Sequence, residues 1–141
     1  MTTRTADRLK ALSYILSDGL SYSWFQVDSI NEDACKAVVR VDGPDDEEGD
    51  MTLNWRVGPD DVARGLRMVR EYAEGKRELY NGEWKYYLDK DPNWLPVRAG
   101  KDSYLWELVK FDDTNGEDGD YDANTADMVM QFAILGEVRY G

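Results

Sequence analysis

Apolar residues recur at helical spacing in three segments of this chain and alternate with polar ones in three others. In "TTRTADRLKALSYILSDGL", Leu9, Leu12, Ile15 and Leu16 mark one face. That spacing predicts an amphipathic helix over 5–17, with threonine as N-cap and Asp18-Gly19 as its stop. "GPDDVARGLRMVREYAEGK" opens with Pro59 in the first turn and Asp60 and Asp61 at the positive end of the dipole. Val62, Leu66, Val69 and Ala73 then share one face, predicting a helix over 59–74. "NTADMVMQFAILGEVRYG" has one stripe of Ala126, Val129, Met130 and Ala133 and another of Met128, Phe132 and Leu135. A helix over 124–135 that is apolar on most sides belongs in the middle of a core.

The strand signals are as clear. "YSWFQVDSI" and "ACKAVVRVDG" are aromatic and β-branched runs separated by "NED", which predicts a hairpin. In "MTLNWRV", Met51, Leu53, Trp55 and Val57 alternate with polar residues, predicting a third, antiparallel strand. "SYLWELVKF" reads as a further strand and "EVRY" as a last one. Residues 79–103 mix aromatics, Asn-Gly and two prolines, a pattern of irregular structure.

The reading is therefore α+β: a single domain over 1–141 in which an antiparallel sheet of three to five strands packs against about three helices as a single layer pair. Its core draws on Leu12, Ile15, Leu16, Trp24, Phe25, Val39, Leu53, Trp55, Leu66, Val69, Val129, Phe132 and Ala133. A chain of 141 residues buries roughly 68% of its unfolded surface on folding. There is no internal repeat and no linker-like stretch to mark a second domain.

Charge changes the picture most. With 29 acids against 17 bases the chain carries −12 at neutral pH. That field opposes nucleic acid and anionic lipid and favours a basic protein surface. Two stretches concentrate it: 42–50 holds six acids and 112–127 seven, together 13 of the 29. The candidate interaction surface is Asp45, Asp46, Glu47 and Glu48 in the first, and Asp112, Asp113, Glu117, Asp118 and Asp120 in the second. The second stretch fails the EF-hand pattern in both registers, because Asp118 or Ala123 stands where glycine is required. It reads instead as a turn eased by Gly116 and Gly119, with Asp122 or Asn124 capping the last helix and Asp120 and Asp127 near its dipole. Neutralising Asp112, Asp113, Glu117 and Asp118 should then leave the fold intact and the melting temperature unchanged or slightly raised.

Catalysis has little to stand on. There is no histidine, which removes the usual triads, zinc sites and the commonest general base. Cys35, the single cysteine, cannot form an internal disulfide, and in a strand-like run it reads as a small buried side chain. The spacing of Arg64, Arg67 and Arg70 suits a phosphate, but Glu71 and Glu74 four residues beyond Arg67 and Arg70 make solvated helix pairs the better reading. Pro59-Asp60 followed by Glu83-Trp84-Lys85 matches the PD…(D/E)xK pattern of Mg²⁺-dependent nucleases, in which Asp60 and Glu83 would hold the metal. The pattern is short, and here its first half opens a helix. No cofactor, metal site or catalytic residue is expected. No segment is apolar enough to span a membrane, and the N-terminus lacks a signal-peptide core, so a cytoplasmic protein is predicted.

The run "TNGEDGDYDA", an apolar helix and a "GEVxYG" ending together resemble the C-terminal signature of a set of small uncharacterised actinobacteriophage proteins. Here the signature stands as "DTNGEDGDYDANTADMVMQFAILGEVRYG", residues 113–141, with Asp113 where the family carries a basic residue. "VARGLRMVRE" after "GPDD" is similar more loosely. The resemblance implies expression in a bacterial host and implies no activity. Together these readings predict a non-catalytic protein that binds and modulates a host protein with a basic surface, with DNA mimicry as the sharpest version. A virion or assembly component and a Mg²⁺-dependent nuclease are the alternatives.

Overall fold

The computed structural model describes residues 5–21, 25–42, 52–77 and 98–138. Within them the chain runs α1 (Ala6–Ser21), β1 (Gln26–Asn31), β2 (Lys36–Asp42), β3 (Thr52–Val57), α2 (Pro59–Ala73), α3 (Leu105–Asp113) and α4 (Ala123–Leu135). This is an α+β fold with a three-stranded antiparallel sheet ordered β1-β2-β3. Trp24, Met51, the loop 43–50, the segment 78–97 and the expected last strand beyond Val138 lie outside the described residues.

The expected helices form where their apolar stripes lie. Thr5 caps α1 by accepting the Arg8 N–H at 3.1 Å. In α2 the Asp61 carboxylate reaches back to the Gly58 N–H at 2.8 Å, and Val62, Leu66, Val69 and Ala73 are buried. Asp122 caps α4, accepting from the Thr125 N–H at 2.8 Å, and Gly136 ends it in the left-handed conformation. As expected, α4 is buried on most sides, against α1 and α2. The helices bury much of their apolar surface against one another, and α3 rests on α2.

Two expectations fail for tertiary reasons. Gly19 does not stop the first helix, which continues to Ser21. A Cβ at Gly19 would lie 2.5 Å from Met130 Cγ and 2.6 Å from the Ala126 carbonyl oxygen, and one at Gly65 would run into the Val129 carbonyl. Both glycines are the places where α4 comes closest to its neighbours, and that packing outweighs the roughly 1 kcal/mol that glycine costs a helix. Residues 105–113 are helical rather than extended. Leu108 and Phe111 are buried three apart, and Glu107 and Lys110 pair at 3.3 Å across one turn. That is a helical period that a short aromatic run conceals.

The sheet register sorts its side chains into rows. Val27, Val39 and Trp55 lie opposite one another, as do Ile30, Ala37 and Val57, so these six share one face. The other face carries Gln26, Ser29, Asn31, Lys36, Val38, Arg40, Asn54 and Arg56. Val27 and Ile30 are three apart and reach the same face only because the register shifts between Val27 and Ser29, which leaves Asp28 as a β-bulge. Asp28 pairs with Arg40 at 3.0 Å. Val39, Ala37 and Val57 are buried, whereas Val27, Ile30 and Trp55 are 37%, 42% and 37% exposed. Trp55 is thus a rim residue of the apolar face, not the core residue its alternation predicts. Cys35 is buried as expected, but in the turn after β1 at φ 53°, not in a strand.

Candidate functional site

The acidic stretch between α3 and α4 is built by a few local devices. Asn115 and Gly116 turn the chain through positive φ after α3, and Thr114 Oγ1 donates to the Lys110 carbonyl at 2.8 Å and accepts from the Asp118 N–H at 2.9 Å. Gly119, at φ 77°, lies so close to the Glu107 carbonyl and the Phe111 amide that no Cβ fits there. The loop is therefore folded back on the last turns of α3.

Its carboxylates have separate uses. The Asp112 side chain is 13% exposed and is clamped between Arg8 of α1 at 2.7 Å and Arg70 of α2 at 3.2 Å. Arg8 also donates to the Asp112 carbonyl at 3.0 Å and to Asn115 Oδ1 at 3.3 Å. Asp113, 57% exposed, joins Arg70 as well, and its hydrogen bond is the chief cause that raises the Arg70 guanidinium above its ordinary value. Asp118 binds the Gly119 N–H at 2.8 Å, and Glu117 is exposed. Asp120 accepts from the Tyr104 hydroxyl at 2.9 Å and from the Tyr121 N–H at 2.8 Å. Of the expected surface residues, then, Asp112 is a structural clamp, while Asp113, Glu117, Asp118 and Asp120 line the loop's solvent side. Asp45, Asp46, Glu47 and Glu48 lie outside the described residues. Among the described residues no group of three or more His, Cys, Asp or Glu is arranged to hold a metal ion.

The tyrosines are what sequence reading passed over. Tyr121 stacks edge-on against Phe111 with ring centroids 4.9 Å apart and donates its hydroxyl to Asp18 of α1. Burial, then that hydrogen bond, raises its hydroxyl well above the ordinary tyrosine value. The Tyr104 hydroxyl is raised first by its bond to Asp120. Tyr14, one turn before Asp18, is 49% exposed. Tyr14, Tyr104 and Tyr121 thus run with Asp18 and Asp120 across α1, the start of α3 and the loop. The available signal was Tyr14 itself, an aromatic off the Leu9, Leu12, Ile15, Leu16 stripe, and Tyr121 in the midst of acids.

The two other sequence patterns resolve differently. Arg64 and Arg70 turn to different partners. Arg64 bonds Asp61 at 3.2 Å and the Ala133 carbonyl at the end of α4, and Arg70 holds α3. Nor are the expected i,i+4 pairs the ones observed: Glu71 pairs with Arg77 at 3.1 Å and Glu74 with Lys76 at 3.5 Å. Partly buried Asp112 outcompetes Glu74 for Arg70 because ion pairs strengthen as solvent is excluded. Pro59 and Asp60 start α2, as expected, and Glu83 and Lys85 lie outside the described residues.

No protein-family model, curated protein or solved structure matches the chain. The class it can be assigned is that of its fold, an α+β protein, with an acidic, tyrosine-bearing surface beside its α3–α4 loop.

Proposed function

We propose that this is a non-catalytic binding protein of a phage-infected bacterial cytoplasm that docks on, and modulates, a host protein with a basic surface. The observation that supports it is the Tyr14–Tyr104–Tyr121 surface, on which the Tyr121 and Tyr104 hydroxyls fix the carboxylates of Asp18 and Asp120 on a molecule of charge −12. Tyrosine supplies contact area at low entropic cost, and oriented carboxylates steer a cationic partner. DNA mimicry is the sharper form of the same reading and requires the 42–50 loop to share this face. The test is capture from host lysate with the tagged protein at low salt. A stoichiometric basic host protein, released as salt rises and lost more easily from a Glu117→Gln, Asp118→Asn, Asp120→Asn variant, is expected. Retention of no stoichiometric protein overturns the reading.

The exposed row ends Val27, Ile30 and Trp55 favour a second reading, a virion or assembly component that buries this apolar rim against another subunit. Light scattering after size exclusion separates the two: discrete oligomers support assembly, and a monomer supports the host-binding reading. Nuclease activity gains no support from the start of α2, and no cleavage of DNA with Mg²⁺ or Mn²⁺ is expected.

A further inference from the structure

An open groove of about 420 Å³ runs between α1 and the β1–β2 turn. Leu9 and Tyr14 give it an apolar wall, and Asp18, Glu32 and Asp33 line it with three carboxylates against one base, Lys10. Those carboxylates have different anchors. Ser17 donates to Glu32 Oε1 at 2.7 Å, and Ser13 ties the Glu32 carbonyl to the same helix at 2.6 Å. Asp18 is oriented by the Tyr121 hydroxyl, and among the described residues Asp33 has no ion-pair partner. A separate observation points to what the groove holds. The chain's own Lys10 places its Nζ 5.8 Å from the centre of the Tyr14 ring, so that ring takes a cation, and one entering from outside displaces Lys10 from it.

We propose that this groove is a socket for an arginine side chain of a protein partner. A planar guanidinium can lie on the exposed Tyr14 ring and donate in two directions to Glu32 and Asp33, which a point-like ammonium cannot do as well. The net charge within the groove, three acids less one base, attracts the cation, and the low-dielectric wall of Leu9 and Tyr14 strengthens the attraction. The inference rests on the host-binding reading above and names one contact that such a partner makes.

The test is an NMR titration of the full chain with the blocked tripeptide Gly-Arg-Gly, and with the same peptide carrying lysine or uncharged citrulline. Expected are shift changes confined to residues 9–18 and 32–33, stronger for arginine than for lysine and absent for citrulline. Tyr14→Leu, which keeps apolar area on a half-exposed position, should weaken binding about two- to five-fold, the size of an exposed cation–π contact. Glu32→Gln keeps the Ser17 bond and should weaken it comparably, while the exposed Asp102→Asn, outside the groove and the acidic loop, should leave it unchanged. Equal binding of citrulline, shifts spread over the acidic surface, or equal weakening by Asp102→Asn overturns the socket. Its failure and that of the wider reading are distinguishable. A host protein captured equally well by the Tyr14→Leu, Glu32→Gln variant sinks the socket alone. A groove that binds arginine in a protein that captures nothing sinks the wider reading alone.

Discussion

Asp112 and Asp113 are neighbours in sequence and differ in what they hold. Asp112 is largely shielded and receives guanidinium groups from two helices, whereas Asp113 is mostly solvated and shares one. Asp112→Asn should cost about 1.5–3 kcal/mol, the range for hydrogen bonds to charged groups, and Asp113→Asn no more than about 1 kcal/mol. Urea unfolding of both variants checks this. The neutral outcome that sequence predicts for replacing Asp112, Asp113, Glu117 and Asp118 together is therefore revised to a loss, carried by Asp112. The run of acids made the charge legible, but not which acid faces two arginines from distant helices. Asp127 gives a second residue-scale prediction. It lies in α4, accepts from Gln131 at 2.8 Å, and among the described residues its Oδ1 is buried without a hydrogen-bond partner. Burial raises its carboxyl above the ordinary value, more than the Gln131 bond lowers it. Folding therefore favours the protonated acid, so its contribution to stability falls as pH rises through the raised value and is fully unfavourable at neutral pH. Asp127→Asn should be more stable than the natural protein at pH 7, with the difference vanishing below about pH 4. Denaturation at the two pH values decides it, and an equal difference at both would refute the assignment.

At the scale of elements, three helices were legible because each has a sustained apolar period and conventional ends. Pro59 with Asp61, and Asp122 with Thr125, are capping signals readable without coordinates. Residues 105–113 were not, because nine residues rich in aromatic and branched side chains fit either period, and what selects helix is the docking of Leu108 and Phe111. Helix–helix approach was equally hidden, since Gly19 reads as a stop and Gly65 carries no signal of the backbone it faces. Gly65→Ala would drive a methyl into the Val129 carbonyl, backbone that cannot step aside as a flexible side chain can. Overpacking of this kind costs about 1–3 kcal/mol, opposite in sign to the gain alanine brings at an unconstrained helical site. A lowered melting temperature checks it, and a raised one would show that α2 and α4 are not this close.

On the scale of the whole molecule, the α+β class and the antiparallel order of the strands follow from the alternation of period 2 and period 3.6 along the chain. The candidate surface follows less readily, because Tyr14, Asp18, Tyr104 and Tyr121 are scattered over more than a hundred residues of sequence and meet only after α1, α3 and the α3–α4 loop have docked. The sheet has a further consequence for the molecule's life at cellular concentration. Among the described residues β1 is an edge strand with all six residues exposed, so its outer backbone edge is a template on which another extended chain could propagate a sheet. The bulge at Asp28 interrupts that template midway, which makes it a guard against polymerisation as well as a device for register. Deleting Asp28 would put Val27 and Ile30 in strict alternation and leave a smooth edge, with the fold retained. Such a protein should scatter light and bind thioflavin on standing at concentrations where the natural chain stays clear, and equal clarity of the two would show that the edge is protected by something other than its one extra residue.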